Sequence, residues 1–332
     1  MAVLKKIINI LLRFGVSAGL LFFLFRKIDL KAFVQIIKRA DFTLILLSFF
    51  VFCLIYALCF LRWHKLLRAL GVDLPIRPIF SSFMGGVFFN AVLPSTIGGD
   101  VLRSVDLSAK TKRPDKIIAT VFVDRLSGYT GLSLVCFGLL IFGWKLVNTP
   151  SVIIPVILIT GLLCLILLVL FNDFLYRKIT GFLEKSSRKK QEQFPKVVSL
   201  RQHLVKLHQQ VYYFRSKPKV VIESILLSII IQIISSVSFY ILFLSLGIKI
   251  NIVYCLIFQP IIGAITLIPI SIGGLGLRDN MTRLFYSKVG IDSSFSIAAS
   301  LVTFTFIIIG ALVGGLVYYV LTVRHRRVQS AQ

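Results

Sequence analysis

Pro94-Ser-Thr-Ile-Gly-Gly-Asp-Val-Leu-Arg103 and, 175 residues later, Pro269-Ile-Ser-Ile-Gly-Gly-Leu-Gly-Leu-Arg278 are identical at six of ten positions. Each stretch interrupts an apolar run, the first spanning residues 79–99 and the second 251–275. Proline removes a backbone donor and ends a helix, and a glycine pair permits a turn or a close approach of backbones. Hydrocarbon cannot satisfy freed N–H and C=O groups, so broken backbone at membrane depth survives only inside protein or along a polar cavity. The same offset carries the apolar run 42–61 onto 217–236 and the run 118–142 onto 293–317. The sequence therefore reads as one unit of span, broken hairpin, amphipathic connector and span, written at 42–142 and again at 220–321.

Composition supports a membrane setting for this unit. The 332 residues are 57% hydrophobic and only 15% charged, with a mean hydropathy of +0.91. Soluble chains average about 45–50% apolar and roughly 25% charged residues, which excludes an ordinary soluble enzyme and a disordered chain alike. The net charge of +25 by itself could point to nucleic acid. Repeated apolar runs of about twenty residues fit lipid instead, with the basic residues serving headgroups and orientation. No nucleic acid is expected as a partner. The five cysteines all lie in apolar stretches without a CxxC pair or nearby histidines, so no metal and no cofactor is expected.

Six runs are long enough to span: 7–25, 42–61, 118–142, 152–171, 220–246 and 294–321. The first resembles a signal peptide but ends in Arg26-Lys27-Ile28-Asp29 without a small-residue cleavage pattern, and reads as a retained span. With both broken segments re-entering the side they came from and the N-terminus inside, 26 Lys and Arg fall inside and 10 outside, Arg13 and Arg125 lying within spans. If the broken segments crossed, the twelve basic residues of 172–219 would face outward, against the positive-inside rule. The expectation is an all-α polytopic protein of one membrane domain over 1–332, with about six full spans and two re-entrant hairpins. The basic segment 172–219 and both termini would be cytoplasmic. An odd number of crossings between equivalent points makes the second copy inverted relative to the first, an arrangement found in transporters. Segment 26–41 carries five basic residues on the predicted outer side, with Leu30, Phe33, Ile36 and Ile37 near helical spacing; it reads as an interfacial helix.

Candidate site residues cluster at the breaks. Helical composition resumes after Gly98-Gly99 and after Gly273-Gly274, so helix N-termini would stand near Pro94 and Pro269, an arrangement that suits phosphate. The alternative is a tight structural turn. Arg103 and Arg278 lie about a turn further on, where a guanidinium would add charge or snorkel to the interface. Asp124-Arg125 interrupts its span, and an ionisable side chain there costs on the order of 2.5–3.5 kcal/mol. Each needs a partner, and Asp100, Arg103, Arg278 and Asp279 are the candidates; a purely structural ion-pair network is the competing reading. Asn90 can bond freed backbone or a headgroup, and Asp100 can cap the next helix. Arg62-Trp63-His64-Lys65, at a span end, reads as an aromatic and basic interface anchor.

In the strings LRWHKLLRALG, FFNAVLPSTIGGDVLRS, VDRLSG and IPISIGGLGLRD the chain resembles the membrane region of bacterial lysylphosphatidylglycerol synthase/flippases, the multiple peptide resistance factors, and their stand-alone relatives. The resemblance covers nearly the whole chain and rests on the ordered set of motifs. It implies a plasma-membrane, flippase-like domain whose Gly-Gly-Asp and Asp-Arg motifs are Gly98, Gly99, Asp100, Asp124 and Arg125. An archaeal branch is associated with sugar transfer from polyprenyl carriers. The chain stops at Gln332 after its last span, so it reads as a stand-alone form, from which lysyl transfer from tRNA is not expected.

The function expected from these readings is a flippase or transporter for an anionic phospholipid or a polyprenyl-phosphate-linked lipid. Its site would hold Asn90, Pro94, Gly98, Gly99, Asp100, Arg103, Asp124, Arg125, Pro269, Gly273, Gly274, Arg278 and Asp279, with no catalytic residue assigned. The alternatives are a membrane-embedded glycosyl- or aminoacyl-lipid transferase and a membrane partner of a separate soluble transferase.

Overall fold

The computed structural model describes residues 30–92, 98–142, 150–171, 209–267 and 276–323. These are helical, without a strand among them. The run 7–25, residues 172–208 of the basic segment, and Pro94, Pro269, Gly273 and Gly274 lie outside the described residues.

A short helix, α1 (Leu30–Arg39), leads into α2 (Phe42–Ala69), α3 (Ile76–Val92), α4 (Gly98–Thr111) and α5 (Pro114–Phe142). Then follow α6 (Pro150–Phe171), α7 (Pro218–Ser245), α8 (Ile252–Thr266), α9 (Leu277–Ser287) and α10 (Ser293–Tyr318), with a π-helical turn at Tyr319–Val323. Local signals set several ends. The Asp41 carboxylate accepts from the backbone N–H of Thr43 at 2.8 Å and so starts α2. Asn251 and Asp292 do the same for α8 and α10, and Pro218 opens α7. Gly71 and Gly247 end α2 and α7 with φ of 66° and 79°. In both, the residue after the glycine bonds back five positions, Val72 to Leu67 and Ile248 to Phe243, closing the left-handed cap that favours glycine.

Helices α2 to α5 are 28, 17, 14 and 29 residues long, and α7 to α10 are 28, 15, 11 and 26. A long helix, two short ones and a long helix occur in both sets. Packing follows the same logic, because α2 lies on α7, α3 on α10, and α8 on α5. Helices α2 and α7 run antiparallel. The Asp41 N–H donates to the Ser245 carbonyl at 2.8 Å near one end, and Lys65 meets Glu223 at 2.8 Å near the other. Between them Ser48 and Ser238 each donate to the other's carbonyl, at 2.7 and 3.0 Å.

Helices α3 and α4 also run antiparallel across the first break. Asn90 is close to Gly99 near the tip, Gly86 packs on Gly99 and Arg103, and Ser82 bonds Asp106 further down. Glycines in α10 let α3 approach: a Cβ on Gly314 would stand 2.6 Å from the Met84 carbonyl oxygen.

Two buried clusters fill the interior. One gathers Phe243, Phe258, Phe285 and Tyr286 from α7, α8 and α9, with the Phe243 and Tyr286 rings 4.7 Å apart. The other gathers Trp63, Leu66, Leu67, Phe83, Leu107 and Ile117, and includes Val211 and Phe214 from the end of the basic segment. The outside is apolar as well: Phe42, Phe50 and Leu54 of α2, Leu312 and Leu316 of α10, and Leu158, Leu162 and Leu165 of α6 are exposed. Water would penalise so much contiguous apolar surface, and lipid does not. Three described helices, at Phe42–Ala69, Pro218–Ser245 and Ser293–Thr322, are long and apolar enough to cross a bilayer. Helix α6 follows the first fourfold set in the chain and precedes the second, and has no counterpart among the described helices. It packs on α5 and α8 through a narrow stripe that includes Val156 and Leu163.

Candidate functional site

Asp124 is the eleventh residue of α5, about 15 Å along its axis from the helix start. Its carboxylate is 5% exposed and takes two guanidinium groups, Arg62 Nε at 2.7 Å and Arg103 Nη2 at 2.9 Å. Arg125, rotated by about 100° around the helix, reaches instead to Asp100, with Nε to Oδ2 at 2.6 Å. Arg103 closes the series with a 3.1 Å contact to the other oxygen of Asp100. Arg62 extends it to α7, donating to the Ser228 hydroxyl at 2.7 Å. One continuous line of charge thus ties α2, α4, α5 and α7 together.

The surroundings hold this line in place. The Arg103 guanidinium lies 4.7 Å over the Trp63 ring, and the Trp63 indole N–H donates to Thr120 on α5 at 3.3 Å. Gly128, one turn beyond Asp124, leaves room for Arg62: a Cβ there would stand 3.2 Å from Nη1. The N–H of Gly99 donates to the Asn90 side-chain oxygen at 2.9 Å, satisfying one donor at the start of α4. The charged groups line a cavity of about 240 Å³, completed by Tyr56, Cys59, Phe83, Gly86, Val87 and Asn90. Among the described residues three guanidinium groups face two carboxylates there, an excess of one positive charge. Arg103 Nε is buried, without a hydrogen-bond partner among the described residues. Arg125 is 35% exposed, the most open of the five.

The second break is arranged differently. Asp279 is fully buried and caps its own helix, accepting from the Gly276 N–H at 2.9 Å. It also accepts from the Ser300 hydroxyl, while Arg278 pairs with Asp279 at 3.3 Å and donates to the Ser300 side chain and carbonyl. Arg278 and Asp279 therefore form their own network between α9 and α10 and are not partners of Asp124 or Arg125. At the offset of 175 the positions of Asp100, Asp124 and Arg125 hold Leu275, Ala299 and Ser300. Arg103 has its counterpart in Arg278, while these three charges have none.

Of the residues singled out in the sequence, Asn90, Gly99, Asp100, Arg103, Asp124 and Arg125 come together at one place, with Gly98 at the head of the same helix. Arg62 joins them although its motif reads as an interface anchor. Both it and Trp63 are buried, because α2 continues to Ala69 and Arg62 is not at its end. Ser228 and Gly128 were also missed. Among the described residues no group of three His, Cys, Asp or Glu side chains is placed to hold a metal.

Residues 10–315 match the family described as the lysylphosphatidylglycerol synthase TM region. A UPF0104 membrane protein of Methanothermobacter thermautotrophicus is 26% identical over 284 residues, covering 80% of this chain and 81% of its own length. UPF0104 membrane proteins of Pyrococcus horikoshii and Methanocaldococcus jannaschii are 21% and 23% identical over 282 residues each, covering 81% and 82% of this chain and 84% and 83% of theirs. No solved structure gives a significant match.

Proposed function

The chain belongs to the lysylphosphatidylglycerol synthase TM region family, and from that premise we propose that it is a lipid flippase or lipid transporter that binds a phosphate-bearing headgroup in the charged cavity. The observation that carries this reading is the charge balance among the described residues: the buried Arg62 and Arg103 and the part-exposed Arg125 against two carboxylates, with the buried Arg103 Nε lacking a hydrogen-bond partner. An uncompensated charge inside a membrane protein is costly. One phosphodiester monoanion brings the site to neutrality and supplies acceptor oxygens to planar donors that suit it. Substrates of this chemistry are anionic phospholipids and polyprenyl-phosphate-linked lipids.

The path we propose runs between two inverted halves, 42–142 and 220–321. Supporting this, the equivalent helices α2 and α7 run antiparallel, and each half's helix before the break packs on the last helix of the other half. The antiparallel run of α3 and α4 supports a re-entrant first hairpin. The Lys and Arg distribution supports cytoplasmic termini, and we place the chain in the plasma membrane as part of the same proposal. A transferase needs a carboxylate available as a base. Asp100 and Asp124 are both held in ion pairs, which favours binding over proton transfer.

The test is lipid translocation by the purified chain in vesicles containing fluorescent phosphatidylglycerol, read by an impermeant quencher. We expect accelerated exposure of label with wild-type protein and at least about a tenfold loss in Arg103→Gln, equivalent to 1.4 kcal/mol. Equal rates in the two proteins would refute the assignment of the cavity.

A further inference from the structure

A second cavity, of about 390 Å³, opens on the flank of the molecule between α5 and α6. Its walls include Phe122 and Tyr129 of α5 and Ile159, Leu162 and Ile166 of α6, and its surface is almost wholly apolar. Arg125 lines this groove and the charged cavity alike. Its Nε is anchored on Asp100, and the side chain stands where the polar and apolar walls meet.

Helix α6 makes the groove. It lies outside the recurring set of helices, is apolar along its whole length, and touches α5 and α8 through a narrow stripe. Where it leans away from α5, the space is bounded by aliphatic and aromatic side chains and opens outward. Resting on the headgroup reading above, we infer that one hydrocarbon chain of the bound lipid occupies this groove while its phosphate occupies the charged cavity, with Arg125 at the junction. The substrate is then a whole lipid that enters sideways between α5 and α6, and neither free phosphate nor a water-soluble headgroup satisfies the site. Continuity through Arg125 carries this assignment. Apolar transfer does not, because a chain leaving the bilayer for the groove gains little; lipid tails are as apolar as leucine. The groove acts through shape and position, and the guanidinium supplies the selectivity for lipids with phosphate.

The experiment uses the full chain in vesicles with two lipids that carry the same diazirine in one acyl chain, phosphatidylglycerol and diacylglycerol. Illumination and peptide mapping read which helix is labelled, and phosphatidylglycerol retained by the purified protein is measured in parallel. We expect α5 and α6 around the groove to be labelled several-fold more by the phospholipid. That preference should vanish in Arg125→Gln and be blocked by Leu162→Trp, which fills the groove from an exposed position. Leu158→Trp, an equally bulky change at an exposed position of α6 outside the groove, should keep it and so guards against a general effect of bulk on the fold. Equal labelling by both lipids, unaffected by Arg125→Gln, overturns the inference and leaves only surrounding bilayer lipid in the groove. If phosphatidylglycerol is nevertheless retained and lost in Arg103→Gln, the headgroup site stands without the tail groove. If no phosphate-dependent retention occurs, the headgroup reading falls with it.

Discussion

Asp124 illustrates what a single side chain can and cannot announce. Its place inside an apolar run was legible, and so was its need for a cation. Arg103 could be found from its position a turn past the glycine pair. Arg62 could not be found by local reading, since an arginine followed by tryptophan, histidine and lysine has the composition of an interface anchor wherever it occurs. What distinguishes it is a partner 62 residues away in the chain. The one usable signal is the unmet demand of Asp124 itself, which any cation on a neighbouring span can answer. Removing one member of a buried pair costs about 3–5 kcal/mol, whereas replacing both by apolar residues of similar size is often neutral. Asp124→Asn should therefore lower the detergent-solubilised melting temperature strongly. The double variant Asp124→Leu with Arg62→Met should restore much of it while transport stays lost. A double variant as active as wild type would show that the line of charge is only scaffolding.

At the scale of helices, apolar run length and the repeated Pro and Gly-Gly pattern were enough to place α2, α5, α6, α7 and α10, because burying or exposing apolar surface sets where a helix lies. The run 42–61 was too short by eight residues, since polar and basic side chains after Leu61 continue the same helix to Ala69. The pairing of α3 with α10 was not legible. It rests on glycines whose packing depends on contacts distant in sequence, and glycine in an apolar helix has no pattern of its own. Gly99 shows how tight such contacts are, as an added Cβ would meet the Gly86 carbonyl and the Asn90 side chain. Overpacking of this kind costs roughly 1–3 kcal/mol. Gly99→Val should spread α3 from α4 and reduce thermal stability by about that amount, measurable by denaturation in detergent. An unchanged melting curve would mean that the two helices are not in close contact.

For the molecule as a whole, ten aligned residues point to a repeated unit, and the same offset already shows that Asp100, Asp124 and Arg125 are not repeated in the second half. The offset places Leu275, Ala299 and Ser300 opposite Asp100, Asp124 and Arg125, and only side-chain geometry reveals that Arg278 and Asp279 satisfy each other and Ser300 instead of completing a second site. The uneven division has an electrical consequence. An empty site with one excess positive charge feels the membrane potential when it changes sides, by up to about 2.3 kcal/mol per 100 mV for a full crossing, whereas a site neutralised by a phosphodiester does not. Loaded passage should be indifferent to voltage and the empty return should be sped or slowed by it. A potassium diffusion potential across the vesicle wall should then change lipid turnover when return is limiting. Its sign would favour one direction of net movement, so that the chain would act as a rectifier. Turnover unchanged at either polarity under such conditions would refute this account.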